Sequence, residues 1–191
     1  MLFDNFFTED HFDIREVARD FAEKSLAPVA LEIDKTEKFP EDIVDTMVEI
    51  GFLGIKIPEE YGGQGQTVVS ELIVSEVLGD FGYPALEALA GHELGCAVMY
   101  YWGSEEIKQK YLTPCAKGEK VCCGGATDPS GSFNMTEWGL NYVDDGDAVI
   151  VNGQKVVVTN AETADVKVIF GKEAGGNTQS CAFIIEKEIG R

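Results

Sequence analysis

Two histidines, His11 and His92, are all that the 191 residues contain, and they stand far apart. A Ser-His-Asp arrangement therefore cannot be read from the sequence. His92-Glu93 begins like H-E-x-x-H, but Cys96 occupies the place of the second histidine, so no metal site is expected. His92 reads instead as a packed or solvated helix histidine. Basic residues are also few, 15 against 34 acidic ones, for a formal net charge of −19. Nucleic acid and anionic lipid would be repelled by such a surface. No apolar run approaches the length needed to cross a bilayer, so no membrane insertion is expected. The opening Met1-Leu2-Phe3-Asp4-Asn5 lacks the basic start and long apolar run of a signal peptide, and the expected location is cytoplasmic. Five cysteines, an odd number at irregular spacing with no C-x-x-C pair, argue against a disulfide framework and for a reducing compartment. The sequence contains no G-x-x-x-x-G-K-[ST] or G-x-G-x-x-G element. No nucleophile stands beside an identifiable base, and Glu59-Glu60 reads as a solvated pair.

What is present is ample core material: 45% hydrophobic residues, including eleven phenylalanines. Thr8 is an N-cap candidate, followed by Glu9 and Asp10. From there Ile14, Val17, Ala18 and Phe21 recur at helical spacing as far as Pro28. A shorter helical run follows from Val29 to Asp34. Pro40 opens another helix, with a stripe of Ile43, Val44, Met47 and Val48 and a left-handed stop at Gly51. Phe52 to Ile57 reads as an apolar extended connector, ending in a Pro/Gly loop over 58–65. Val69 to Gly79 and Pro84 to Tyr101 are two further helices, the second apolar on most sides and so central in a bundle. Ser104 caps a short last helix, closed by Pro114.

After Gly118 the texture changes to short β-prone runs at 121–123, 140–143, 148–151, 155–159, 166–170 and 182–185. Asp144 to Asp147 and Asn152-Gly153 separate three of them as turn signals. Runs of helix followed by runs of strand imply an α+β, multi-domain chain. The expected division is a helical bundle over 1–118 and an antiparallel, barrel-like β domain over 119–191. The sheet lacks a closing element before Arg191, so it is expected to be truncated, or to have its edge covered by another segment or chain.

At the change of texture stands Gly124-Gly125-Ala126-Thr127-Asp128-Pro129-Ser130-Gly131-Ser132. Glycines there let backbone N–H groups approach a polar ring or a phosphate. Four separated motifs, in order along the chain, then resemble the acyl-CoA dehydrogenase family over nearly the whole length. Ile57-Pro58-Glu59-Glu60-Tyr61-Gly62-Gly63-Gln64-Gly65 is the first, and Gly103 to Leu112 the second. Ala126 to Ser132 resembles the family's L-T-E-P-x-A-G-S-D loop. Gly146-Asp147, Asn152-Gly153-Gln154-Lys155 and Thr159-Asn160 resemble its G-D-x-Y-x-x-N-G-x-K-x-W-I-T-N segment.

The resemblance implies an FAD-dependent oxidoreductase. In that chemistry a glutamate removes the α-proton of an acyl-CoA thioester and hydride passes to flavin N5. By position Ala126 and Thr127 would meet the flavin pyrimidine edge, and Gly131 and Ser132 the pyrophosphate, Ser132 also lying toward substrate. Val157 stands where the family's flavin-covering tryptophan is found, and Thr159 would lie near N5. The loop is one residue shorter between Pro129 and Gly131, and Phe133-Asn134 stands where an aspartate is usual. The family's catalytic glutamate belongs to a C-terminal helical domain, so no catalytic residue is assigned here, and the isolated chain is expected to be inactive. A homotetramer and an electron-transfer flavoprotein partner are implied by the same resemblance. The other reading is a non-catalytic binding or assembly subunit that pairs with a separate chain.

Overall fold

In the computed structural model, residues 6–38, 40–131, 134–175 and 180–187 are described. Helix α1 (Glu9–Phe21) begins with an unusual cap. The Thr8 N–H donates to Nδ1 of His11, at 3.0 Å, where a capping box would ordinarily place a carboxylate. It runs on through a π-helical turn, Ala22–Leu26, before α2 (Ala30–Thr36) and α3 (Glu41–Glu49). Gly51, at φ 81°, ends α3 as its position suggested.

The connector after Gly51 is not extended. Phe52–Gly54 makes one 3-10 turn, and Phe52, Leu53, Ile55 and Ile57 are all buried. A short run that is apolar on every side signals burial on every side without choosing between strand and helix. The loop that follows folds back on it: Gln64, Gly65 and Gln66 donate their N–H groups to the carbonyls of Gly54, Ile57 and Ile55 at 2.8–2.9 Å. A Cβ on Gly63 would overlap those same carbonyls of Gly54 and Ile57. Lys56 reaches out of the connector to Glu71 at 2.7 Å and Glu93 at 2.6 Å, tying it to two helices.

Those helices are α4 (Val68–Phe81) and α5 (Tyr83–Trp102). The Thr67 hydroxyl accepts from Ser70 N and caps α4, while Pro84 sits in the first turn of α5, where a missing N–H is harmless. The short α6 (Glu105–Ile107) is capped by Ser104 and continues through a π-helical turn, Lys108–Leu112, into α7 (Thr113–Ala116). Tyr61 donates to Glu105 at 3.0 Å, so the first two signature segments meet each other.

The sheet comprises β1 (Cys122–Gly125), β2 (Asn141–Asp145), β3 (Ala148–Asn152), β4 (Val166–Glu173) and β5 (Ser180–Glu186). Helices followed by a sheet give the expected α+β order, but the pairing is mixed rather than antiparallel throughout. β4 runs parallel to β1 along Val166–Ile169 and parallel to β2 at Lys172 and Glu173. β2–β3 and β4–β5 are antiparallel. The β2–β3 hairpin turns at Gly146, φ 73°, and not at Asn152-Gly153. Gly153 instead lies against Leu140, where no side chain would fit. The run 155–159 forms no strand, because Val157 (φ 52°) and Asn160 (φ 64°) are left-handed and break the extended path.

Two cores result. One lies within the bundle, around Phe21, Met47, Val74, Leu78 and Leu89. The other crosses the seam between bundle and sheet, joining Cys96, Met99, Leu112 and Cys115 to Cys122, Val166 and Val168. Among the described residues no helix is long and apolar enough to cross a membrane.

On α4, Leu78 is fully buried whereas Leu72 is 62% exposed. Leu78→Ala is expected to cost about 3 kcal/mol and Leu72→Ala less than about 0.5 kcal/mol, read from urea unfolding midpoints at constant m. Equal losses would mean that the helix faces are assigned wrongly.

Candidate functional site

The loop after β1 is organised by one buried carboxylate. Asp128, 3% exposed, accepts from Ser130 N at 3.0 Å and from the Ser130 hydroxyl through one oxygen. Its other oxygen accepts from Gly139 N at 2.7 Å and Leu140 N at 3.3 Å. The Lys155 ammonium stands 3.5 Å from that oxygen and also donates to Ala126 O at 2.7 Å. Lys155 further lies over the buried Trp138 ring, 4.3 Å from its centroid. Burial pushes the Asp128 carboxyl up, but the hydrogen bonds from Ser130, Leu140 and Gly139 outweigh it and hold the group well below the usual carboxylate range. Burial likewise lowers Lys155, opposed by the Asp128 charge.

This knot brings the candidate residues of two distant segments side by side. Thr127 O accepts from Val156 N at 2.9 Å, and a Cβ on Gly125 would touch Val158. Ala126 and Thr127 are half-buried at the end of β1. Asp128 and Gly131 exchange both backbone hydrogen bonds, at 3.1 Å each, closing a four-residue turn over Pro129-Ser130. Among the described residues, a Cβ on Gly131 would come to 3.7 Å from Asn134 O and from the Glu137 side chain, an ordinary contact distance. Ser132 lies outside the described residues.

Val157 is 90% exposed with its backbone at φ 52°. A β-branched residue rarely takes that conformation, and the cost is borne because its neighbours are held on both sides. On one side is the Val156–Thr127 bond. On the other, the Thr159 hydroxyl donates to Glu87 at 3.2 Å and Asn160 Nδ2 donates to Ala88 O at 2.8 Å. Thr159 packs so closely over Gly91 of α5 that a Cβ there would be 2.8 Å from its methyl. A cleft of about 900 Å³ opens beside it, lined by Glu87, Ala88, Val121, Thr159, Asn160 and Met47 among others. Glu87 was not singled out from the sequence, and Lys155, although part of the fourth motif, was not assigned a role. Lys155 could have been, since a lysine amid a valine run marks a side chain that must find a buried anion.

Comparison with known proteins adds the following. Residues 8–119 match the family model described as acyl-CoA dehydrogenase, N-terminal domain. The short-chain specific acyl-CoA dehydrogenase of Clostridium acetobutylicum is 40% identical over 91% of this chain and 47% of its own length. A chain in the structure described as the electron transferring flavoprotein of Acidaminococcus fermentans is 38% identical, with a TM-score of 0.90 over 95% of this chain and 49% of that one. The glutaryl-CoA dehydrogenase of Mycobacterium smegmatis, solved in complex with FADH2, is 25% identical with a TM-score of 0.90, over 98% of this chain and 48% of that one. The chain thus spans about half the length of the relatives it matches.

Replacing Asp128 by Asn would leave Lys155 buried without a counter-charge, at an expected cost of about 3 kcal/mol at pH 7. The folded carboxyl titrates below the unfolded one, so its stabilisation is complete above about pH 4 and is lost as the pH falls below that. Urea midpoints of the two proteins, measured from pH 7 down to pH 3, should begin to draw together below about pH 4 without yet meeting, because the folded carboxyl titrates below that range. A constant difference across that range would mean that the carboxylate charge is not what the knot uses.

Proposed function

The chain belongs to the acyl-CoA dehydrogenase family, and on that premise we propose that it supplies one wall of the flavin site of an acyl-CoA oxidoreductase. FAD, when bound, would accept the hydride that leaves the acyl thioester as its α-proton is removed. The observation that carries the reading is the Thr127–Val156 backbone bond, which joins the two segments where the flavin-facing residues were expected. A strained, almost wholly exposed Val157 beside them fits as well, because an apolar side chain held outward at such a cost suits a flat apolar partner.

On this reading Ala126 and Thr127 offer backbone N–H groups, and Thr127 its hydroxyl, to the ring edge that gains charge on reduction. Fixed donors there stabilise that charge without reorganising. Gly131 and Ser132 are assigned to the pyrophosphate by their place in the loop, Ser132 also to the substrate side. Thr159 stands on the N5 side, positioned by Glu87 and the α5 backbone, and Val157 covers less ring than an indole would. No residue of this chain is assigned as the catalytic base. The boundary between the two domains is placed at 118/119. The substrate would be an acyl-CoA and the electron acceptor an electron-transfer flavoprotein, in a cytoplasmic homotetramer.

By itself the 191-residue chain is expected to bind FAD weakly or not at all and to oxidise no acyl-CoA. Joined to the remaining half of the short-chain specific relative, it should become yellow and reduce a dye with an acyl-CoA. In that chimera Thr127→Ala should slow flavin reduction about tenfold or more, and Val157→Trp should tighten flavin binding. A chimera that folds but stays colourless, or a Thr127→Ala variant reduced at the parent rate, counts against the flavin wall. Either result would favour the other reading, a non-catalytic assembly subunit, for which Val157 in place of an indole is the supporting feature.

A further inference from the structure

Three cysteines that are far apart in sequence meet at the seam. Cys96 comes from the middle of α5, Cys115 from α7 and Cys122 from the start of β1, and all three are fully buried. Their sulfur atoms lie within 4.8 Å of one another. A planar site with a metal about 2.3 Å from each of three sulfurs would space them about 4 Å apart, so only a small contraction separates this cluster from that geometry. Gly95 makes the approach available, because the Cys122 sulfur occupies the space where a Cβ on residue 95 would stand.

His92 determines what kind of ion fits. It is fully buried one turn before Cys96, and its Nδ1 accepts from Cys122 N at 3.0 Å. An accepting Nδ1 places the ring proton on Nε2. That Nε2 has no hydrogen-bond partner among the described residues. A protonated ring nitrogen cannot ligate a metal but can donate to a thiolate sulfur. The protein therefore offers three sulfurs and an outer N–H donor rather than the four ligands of a structural zinc site. Three soft ligands buried away from solvent suit a soft ion of low coordination number.

We propose that Cys96, Cys115 and Cys122 form a three-thiolate site for a soft monovalent d10 cation, with copper(I) as the ion to test. The site lies outside the loop assigned to flavin and does not depend on that assignment. Loading forms three metal–sulfur bonds and displaces the thiol protons to solvent, with no change of oxidation state. Apparent affinity should accordingly rise with pH.

The test is an anaerobic titration of the purified chain with copper(I) against the chromogenic chelator bicinchoninate, with zinc(II) titrated in parallel. Expected are one copper(I) retained per chain, thiolate-to-copper absorption in the near ultraviolet, and three sulfur neighbours at about 2.3 Å by X-ray absorption. Cys115→Ser and Gly95→Ala should each weaken retention about a hundredfold or more, while Cys181→Ser leaves it unchanged. Circular dichroism of the metal-free variants establishes that they fold. The X-ray absorption of the unmutated protein decides the matter even if they do not. The proposal is overturned if the unmutated chain surrenders all its copper to the chelator, or if folded Cys115→Ser retains it fully. A nitrogen ligand, or zinc held more tightly than copper(I), overturns it equally.

Discussion

A carboxylate taken out of water has to have every lone pair answered, and Asp128 meets that demand with groups from three parts of the chain. The Ser130 donors close the turn that follows it, the Gly139 and Leu140 N–H groups bring in the approach to β2, and Lys155 brings in the segment after β3. Such an arrangement is a weak source of net stability, since desolvating both charges consumes most of their attraction. Its effect is positional. Once Lys155 must reach inward to Asp128 and Ala126 O, the backbone at 156–157 is held against Thr127, and Val157 is left facing outward. The mutual placement of the proposed flavin-facing residues follows from where a buried charge finds its partners.

Helix α5 performs the corresponding task between bundle and sheet. It is apolar around much of its circumference because it has neighbours on most sides. Its small residues set how close those neighbours come. At Gly91 the Thr159 methyl rests on the helix backbone, and one turn later, at Gly95, the Cys122 sulfur does the same. The intervening His92 spends one ring nitrogen on the β1 backbone. Bundle and sheet therefore share a continuous core through Cys96, Cys115, Cys122 and Val166. Both the flavin-facing wall and the thiol cluster are products of that close approach.

The segments that carry the family resemblance divide by physical role. Ile57 to Gly65 and Gly103 to Leu112 do structural work: backbone bonds fold the first onto the connector, and Tyr61 links it to Glu105. Gly63 is required there because two carbonyls fill the space of a side chain. The segments after β1 and after β3 carry the features that suit a ligand, namely a strained exposed apolar residue and half-buried polar groups beside a cleft.

Much was determined by the sequence alone. The helical bundle, most strand positions, the cap at Ser104, the stop at Gly51 and the family itself are local or linear signals, set by periodicity, by φ preference and by motif order. The tertiary structure decided the rest, because those features depend on partners distant in sequence. A run of apolar residues at 52–57 specifies burial but not backbone form, and it became a 3-10 turn. Strand propensity at 155–159 yielded to a lysine drawn toward an aspartate 27 residues earlier. Parallel pairing of β4 with β1 and β2 leaves no local trace in the chain. Nor does the meeting of Cys96, Cys115 and Cys122: each lies in its own segment, and only the packing of two helices and a strand makes them neighbours.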